Sequence, residues 1–415
     1  MRRRLLVIAH PFPPAGGGGV QRTLGFVRHL PEHGWDPVVV AGPADDYWAS
    51  DPTLAEDLGA PVLRVRPIRL DAARSLGRRV MPRALRRRFD RSFVPDTRVA
   101  WGLPALRTAL RLHEEAPFDA VYATGPPWTD HLVAARFAMN TGVPYVADFR
   151  DPWTFNPLEP PPASLVPLHR RLEAWVHARA TLSIASTETY RRRMQTAFGL
   201  APDATMHLPN GYTDVDFAGL PQVPIEDALA LGYAGSFYGV HSPRALFEQL
   251  DRAVQIAPDL DLRVELYGNT GGPRARRFPV REHGYVDQRS ALEGLARCRV
   301  VFLTVPDRAG ADGCVPQKLY VYLRLGRPIL WCGPEGDATT ILRRAGGATF
   351  ALDPARPDAP GLARWLAARA DEGRSPPFDR EVVAAYDRRV LTRRLADRLS
   401  MLADRAAPHP RRGSR

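Results

Sequence analysis

Short apolar segments alternate with longer amphipathic segments along most of the chain. Buried parallel strands read as continuous apolar runs, and the helices that cover them are apolar on one face. The alternation therefore predicts parallel α/β architecture, with helices between most of the strands. The predicted strands of the first half are Leu5–Ala9, Pro37–Ala41, Val62–Val65, Ala120–Thr124, Tyr145–Phe149, Leu182–Ala185 and Met206–Leu208. Those of the second half are Leu231–Ala234, Leu262–Tyr267, His283–Val286, Val300–Val305, Ile329–Trp331 and Thr349–Leu352.

The alternation weakens around Pro221 and Pro224 and then restarts, which indicates a linker between two Rossmann-like domains. The predicted divisions are a first domain at 1–215, a linker at 216–228, a second domain at 229–378, a C-terminal helical region at 379–405 and a disordered tail at 406–415. Ligands of open α/β sheets bind at the carboxyl ends of the strands. We therefore expect two facing domains with a substrate cleft between them.

The chain of 415 residues carries 57 basic and 45 acidic residues, a net charge of +12. This charge would suit nucleic acid or an anionic membrane. Nearly all of the basic residues are arginines, which indicates a general compositional bias, and no recognised nucleic-acid-binding motif accompanies them. We expect no specific nucleic-acid partner. Lys318 is the single lysine, and a lysine kept against this bias suggests a need for its compact ammonium.

The segment Arg74–Arg91 concentrates arginines around an apolar stripe at approximate helical spacing. This pattern suits peripheral contact with an anionic membrane and a lipid-linked acceptor, and a plain solvated helix is the alternative. No apolar run approaches the roughly 20 residues of a membrane span, and the first residues lack a signal-peptide core. The three cysteines have no metal-ligand spacing. We expect a cytoplasmic protein with reduced thiols, peripheral at most on the inner face of the membrane.

A glycine-rich turn joins the first predicted strand to the following helix within His10–Arg22. Four consecutive glycines allow the backbone to approach a ligand closely, and the helix N-terminus offers unpaired N–H groups to an anion. We predict a phosphate or sugar cradle that includes Gly17 and Gly18. The dinucleotide-binding fingerprint does not fit, because Gln21 stands in place of its third glycine.

This opening resembles that of bacterial glycosyltransferase family 4, the group 1 glycosyltransferases of the GT-B fold superfamily, and further motifs follow in the family's order. The matching motifs are His10–Arg22, Thr124–His131, Asp148–Trp153, Leu208–Tyr212, Tyr233–Tyr238, Gly284–Val286 and Pro316–Leu330. The resemblance implies a GT-B fold with the donor bound mainly by the second domain and the acceptor mainly by the first. It also implies metal-independent, cofactor-free transfer with retention of configuration.

Lys318 stands just inside a helix predicted to begin near Pro316, so its ammonium and the helix dipole would meet the same departing phosphate. The family carries a lysine at this position of its Pro-x-Lys-Leu motif, which implies a catalytic and donor-binding role for Lys318. The other donor-binding residues implied by the resemblance are Gly235, Ser236, Tyr285, Val286 and Val321.

The motif that begins at Asp148 follows a predicted strand and therefore falls at a carboxyl end. Its polar side chains can bond hydroxyls or an acidic group of an acceptor. The acceptor-binding residues predicted here are Asp148, Arg150, Asp151 and Trp153. Asp151 and His131 are also candidate catalytic residues. The alternatives are an Asp148–Arg150 pair that only shapes the loop and a capping role for His131.

Val321 departs from the family, which carries at this position a glutamate that accepts hydrogen bonds from the donor's ribose. The partner glutamate eight residues earlier is replaced by Gly313. A valine cannot accept a hydrogen bond, so ribose recognition differs at this point. Three explanations remain open: a nucleotide donor held by other groups, a non-nucleotide donor such as a lipid-linked sugar phosphate, or a homologue that has lost activity.

The predicted function is transfer of a sugar from a nucleotide-diphosphate donor to an unidentified acceptor. We expect this in bacterial cell-surface glycan or secondary-metabolite biosynthesis. One alternative is an inactive homologue that binds sugar or nucleotide as a partner protein. Another is a sugar-nucleotide epimerase of the same fold, which would act without an acceptor.

Overall fold

The computed structural model describes residues 2–45, 51–55, 58–68, 90, 92–220, 229–237, 240, 242–268, 276–371 and 376–406. Within these ranges the chain forms two parallel β-sheets, each covered by helices. The apolar runs become central strands because both faces of a strand are buried beneath helices. In the first strand, for example, Leu5, Leu6, Val7 and Ile8 are each at most 1% exposed.

The first sheet has seven strands in the order β3-β2-β1-β4-β5-β6-β7, all paired in parallel. Its strands are β1 Arg3–Ile8, β2 Trp35–Ala41, β3 Val62–Arg64, β4 Ala120–Gly125, β5 Tyr145–Phe149, β6 Leu182–Ala185 and β7 Thr205–His207. The helices of this half are α1 Gly18–His29, α2 Val99–Glu115, α3 Thr129–Thr141, α4 Val166–His177 and α5 Glu188–Phe198. The strand order reverses between β1 and β4, where ligands of open sheets bind.

The second sheet has six strands in the order β10-β9-β8-β11-β12-β13, again all parallel. Its strands are β8 Leu229–Ala234, β9 Leu262–Tyr267, β10 Val280–Glu282, β11 Val300–Thr304, β12 Ile329–Cys332 and β13 Thr349–Leu352. Its helices are α6 Arg244–Ile256, α7 Gln288–Arg297, α8 Lys318–Leu325, α9 Asp337–Ala345, α10 Ala359–Asp371 and α11 Arg380–Ala384. The order reverses between β8 and β11, so each sheet has one switch point.

The predicted fold class is confirmed, because both halves are Rossmann-like parallel sheets. One predicted strand is wrong: His283–Val286 lies after β10, not within a strand. Gly284 has φ of 70°, a left-handed conformation that ends the extended backbone. The donor-motif residues Tyr285 and Val286 therefore lie in a loop at the carboxyl end of β10.

The chain divides into two compact units, and its final segment returns to the first of them. Residues 1–210 group with 388–415, and residues 211–387 form the second unit. The last helix, α12 Arg388–Ala406, buries Leu391, Leu395 and Leu399 in the core of the first unit. The predicted C-terminal region at 379–405 is therefore shared between the units.

Several predictions fall on the described residues only in part. A short 3-10 helix, Asp214–Phe217, crosses the predicted start of the linker at 216, and residues 221–228 of the linker lie outside the described ranges. Within the arginine-rich segment only Asp90 is described, and residues 407–415 of the predicted tail lie outside as well. No helix among the described residues is long and apolar enough to cross a membrane.

Candidate functional site

The second unit places Lys318 at the first residue of α8, beside the carboxyl end of β8. Its Nζ donates to Tyr233 Oη at 3.2 Å and lies 4.9 Å from the centre of the Tyr233 ring. The side chain is half-buried, and no described carboxylate lies within ion-pair distance of it. The free N–H groups of a helix N-terminus carry positive potential, so ammonium and helix favour the same anion.

The Lys318 ammonium rests directly against the α-carbon of Gly235, the first residue after β8. A Cβ built on Gly235 would overlap the ammonium, and Gly235 has φ of 139°. Only glycine satisfies both constraints. The structure therefore brings together Lys318, Gly235 and the adjoining Ser236, three of the donor-binding residues predicted from sequence.

Aromatic packing fixes the end of β8 on which Lys318 depends. The Tyr233 ring stacks between Phe237 and Phe302, with ring centres 4.5 and 5.2 Å away. Tyr322 Oη accepts a 3.0 Å hydrogen bond from the backbone N–H of Ala234. Because Tyr322 belongs to α8, this bond holds the strand end against the helix that carries Lys318.

The predicted donor residues Val321, Tyr285 and Val286 lie in the same unit as Lys318, whereas Gly17 and Gly18 lie in the first unit. Val321 is half-buried one turn further along α8, and Tyr285 is 58% exposed. The loop of Tyr285 and Val286 is joined to the Lys318 site through glycines: Gly268 N donates to Gly284 O at 2.6 Å, and the α-carbon of Gly268 packs against Gly235. This close packing leaves no room for a side chain at Gly268.

In the first unit, Arg150 joins the two loops that flank the switch point. Its guanidinium packs against Gly19 in the first turn of α1, just after Gly17, whose φ is 98°. The same group donates to the carbonyl of Pro126, in the turn after β4. Arg150 is 9% exposed, so its charge lies beside a helix N-terminus in a shielded place. Together with Gly17 and Gly18, it forms an arrangement suited to an anion.

Asp148 forms a buried ion pair with Arg22, not with Arg150 as the sequence alternative had it. Arg22 Nε and Nη2 each lie 2.8 Å from one Asp148 oxygen, and the carboxylate is fully buried. Tyr122 and Thr124 donate to it as well, at 2.5 and 3.2 Å. Burial alone would raise the Asp148 pKa, but Arg22 and the Tyr122 hydroxyl hold it below its usual value. The carboxylate therefore organises the fold and offers no surface to an acceptor.

His131 and Trp153, both predicted to contact substrate, lie in a buried aromatic stack. The Trp153 ring is parallel to Trp128 at 4.9 Å, and His131 stacks on Phe149 at 4.5 Å. His131 Nδ1 lies 2.8 Å from Tyr145 Oη, and burial lowers the His131 pKa to about 3, so the ring is neutral. With exposures of 0% and 1%, neither ring has surface for an acceptor. In this structure both rings belong to the core, and a contact with substrate stays a prediction.

Asp151 differs from its neighbours in the motif because its side chain is 54% exposed. Its Oδ2 lies 3.8 Å from Arg150 Nε. A carboxylate at the carboxyl end of β5, next to a shielded arginine, can accept hydrogen bonds from a hydroxyl. Of the predicted acceptor residues, Asp151 and Arg150 keep positions compatible with that role.

Sequence reasoning missed Glu173, a fully buried carboxyl on α4. Its Oε2 accepts hydrogen bonds from the Thr154 backbone N–H at 3.1 Å and from Thr154 Oγ1 at 2.5 Å. Burial raises the Glu173 pKa from 4.5 to about 7, despite these bonds. His169, one turn earlier on α4, accepts a 2.9 Å hydrogen bond from Trp153 Nε1. The two α4 side chains thus fix the loop after Asp151.

A comparison with protein families matches most of the first unit. Residues 17–211 match the glycosyl transferase 4-like domain, which confirms the resemblance seen in the motifs. A comparison with curated proteins finds no significant match.

Solved structures match over nearly the whole chain. HepE from Anabaena, in complex with UDP and glucose, is 15% identical over 98% of each chain, with a TM-score of 0.57. Sucrose-phosphate synthase from Thermosynechococcus elongatus is 12% identical over 97% of this chain and 100% of that one, with a TM-score of 0.62. The N-terminal domain of trehalose-6-phosphate phosphatase from Candida albicans is 12% identical over 97% of each chain, with a TM-score of 0.67. At these identities the likeness shows the fold, which is GT-B.

The buried ion pair predicts that Asp148 and Asp151 respond differently to the same change. Asp148→Asn leaves the Arg22 guanidinium buried without its counter-charge and should cost about 3 kcal/mol of unfolding free energy. The control Asp151→Asn, at an exposed carboxylate, should stay within about 0.5 kcal/mol of wild type. Denaturant unfolding followed by tryptophan fluorescence measures both. Equal stability of Asp148→Asn and wild type would contradict the structural role.

The raised pKa of Glu173 predicts that stability depends on pH. Because the folded protein holds this proton more tightly, the contribution is complete below about pH 4.5 and is lost as the pH rises through about 7. A shift of this size corresponds to about 3 kcal/mol. Glu173→Gln should match wild type near pH 4 and exceed its stability at pH 8. Parallel stability–pH curves for the two proteins would show that this carboxyl does not titrate as described.

Proposed function

We propose that this protein is a glycosyltransferase that moves a sugar from a nucleotide-diphosphate donor to an acceptor hydroxyl. The observation that carries the proposal is the Lys318 ammonium, half-buried at a helix N-terminus, against the backbone of Gly235 and without a carboxylate partner among the described residues. A shielded cation of this kind favours an anionic ligand. The family of the first unit and the UDP held by the structurally similar HepE support a nucleotide-sugar donor.

Lys318 would act on the leaving group. Breaking a sugar–phosphate bond places negative charge on the departing phosphate, and preorganised positive charge at that place lowers the barrier. Lys318 and the α8 N-terminus supply such charge, so we propose transfer that needs no metal and no cofactor. The rate should then be unchanged by a chelator of divalent cations. Retention of configuration, with the leaving phosphate taking the acceptor proton, extends the proposal and follows from the family resemblance.

The acceptor would bind in the first unit. Asp151 is the exposed carboxylate of the motif, and the neighbouring Arg150 can steady an anionic group. We propose that Asp151 accepts a hydrogen bond from the acceptor hydroxyl. The proposed setting, bacterial cell-surface glycan or natural-product biosynthesis, rests on the resemblance of the motifs.

A second candidate function is a nucleotide-binding homologue without transferase activity. Val321 favours it, because this position, three residues after Lys318 on α8, carries no hydrogen-bond acceptor for a ribose. Both candidates predict nucleotide binding at Lys318, and only the first predicts sugar transfer.

Lys318→Ala should weaken UDP binding at least tenfold, about 1.4 kcal/mol, because the phosphate loses its charge contact. Transfer should fall roughly a hundredfold, about 3 kcal/mol. The control is Arg324→Ala, which removes the other cation of α8, 2.6 Å from Asp214. Calorimetry measures the binding of UDP, and the release of UDP from UDP-glucose measures transfer. Affinity and rate within threefold of wild type would contradict the assignment of Lys318.

Val321→Glu separates the two candidates. In an enzyme whose ribose site is built around an apolar side chain, the new carboxylate must be desolvated without a partner, so UDP binding stays equal or weakens. In a homologue that has lost activity recently, the same change restores a hydrogen-bond acceptor and tightens binding. Titration of a folded variant with UDP gives the sign. Tightening beyond tenfold would contradict the enzyme proposal.

A further inference from the structure

A pocket of about 430 Å³ lies within the first unit, between the N-terminal half of α4 and the C-terminal half of α5. Its lining residues are Thr154, Phe155, Val166, Arg170, Arg192, Arg193, Thr196 and Ala197. The volume falls in the range of small-molecule sites, roughly 300–1,000 Å³. The residues come from three separate segments, which only the fold brings together.

The pocket has apolar walls, and the charged side chains that line it are all positive. Three of its eight lining residues are arginines and none is acidic. Arg192 Nε lies 3.0 Å from Oε1 of Glu188, a residue that does not line the pocket. Arg170 is exposed and makes no ion pair among the described residues. An apolar cavity beside guanidinium groups is complementary to a molecule with an apolar chain and an anionic head, since arginine forms paired hydrogen bonds to phosphate.

The wall formed by the loop after β5 is held in place. Both Thr154 donors bond to buried Glu173, and the Phe155 ring lies 6.2 Å from Tyr190 of α5. Thr154 follows Asp151 by three residues on the same loop. A ligand in the pocket would therefore be bound on the segment that carries the exposed carboxylate of the candidate acceptor site.

We propose that this pocket binds the apolar chain of a phosphorylated amphiphile, with the phosphate at Arg170 and Arg192. Its role as the anchoring site of the acceptor rests on the proposed transferase function. The binding itself does not depend on that function.

Octyl phosphate, kept below its micelle concentration, is the probe, and calorimetry is the measurement. Wild type should bind it at least tenfold more tightly than inorganic phosphate, which lacks the chain, or octyl glucoside, which lacks the charge. Ala197→Trp fills the pocket and should weaken octyl phosphate at least tenfold. Arg170→Ala should weaken it at least threefold, and the matched control Arg171→Ala, exposed on the same helix outside the pocket, should leave it unchanged.

UDP titrations of the same proteins distinguish failure of this proposal from failure of the proposed function. UDP should bind wild type and Ala197→Trp equally. Absence of octyl phosphate binding to wild type, or equal affinity in wild type, Ala197→Trp and Arg170→Ala, would overturn the pocket assignment even where UDP binds. Absence of UDP binding with octyl phosphate bound would instead contradict the nucleotide-sugar donor. Because Arg170 is exposed, its variant provides the test if Ala197→Trp does not fold.

Discussion

The buried ion pair of Arg22 and Asp148 holds the carboxyl edge of the first sheet together. Arg22 lies on α1, Asp148 ends β5, and the guanidinium also donates to the carbonyls of Leu208 and Pro209 beyond β7. Tyr122 and Thr124 of β4 complete the carboxylate's partners. A buried pair is stable only when its remaining donors and acceptors are satisfied, and here four segments satisfy them. The loops that carry Gly17, Arg150 and Asp151 all start from this edge.

Each unit contains a shielded cation, Arg22 in the first and Lys318 in the second, and the two cations differ in their partners. Arg22 is fully compensated by carboxylate and carbonyl groups, so it has no charge to offer a ligand. Lys318 donates to the neutral hydroxyl of Tyr233, at a helix N-terminus and against Gly235. Its charge is left for an anion from outside the chain. This difference supports our proposal that Lys318 meets the leaving group, while Arg22 has a structural role.

Local sequence signals predicted most strands and the helix start at Lys318, and they failed where distant residues decide the environment of a side chain. Continuous apolar runs correctly marked most of the buried strands. The exception is His283–Val286, which contains the left-handed Gly284 and follows the end of β10 at Glu282. The sequence singled out Lys318 because it is a lone lysine among arginines, just inside a recognisable helix start, and its role in donor binding stays a prediction. Nothing in the sequence pairs Asp148 with Arg22, 126 positions away, or shows that His131 and Trp153 join one aromatic stack. The pKa of Glu173 likewise depends on burial that no local pattern reports.

The central claim is that the Lys318 ammonium meets the donor's phosphate, and the composition of the chain makes this directly measurable. Lys318 is the only lysine, so an amine-acetylating reagent has one side-chain target and the terminal amine serves as an internal reference. Peptide mass spectrometry gives both acetylation rates with and without saturating UDP. We predict that UDP slows acetylation of Lys318 at least tenfold and leaves the terminal amine unchanged. An unchanged Lys318 rate, with UDP binding verified by calorimetry, would contradict the account.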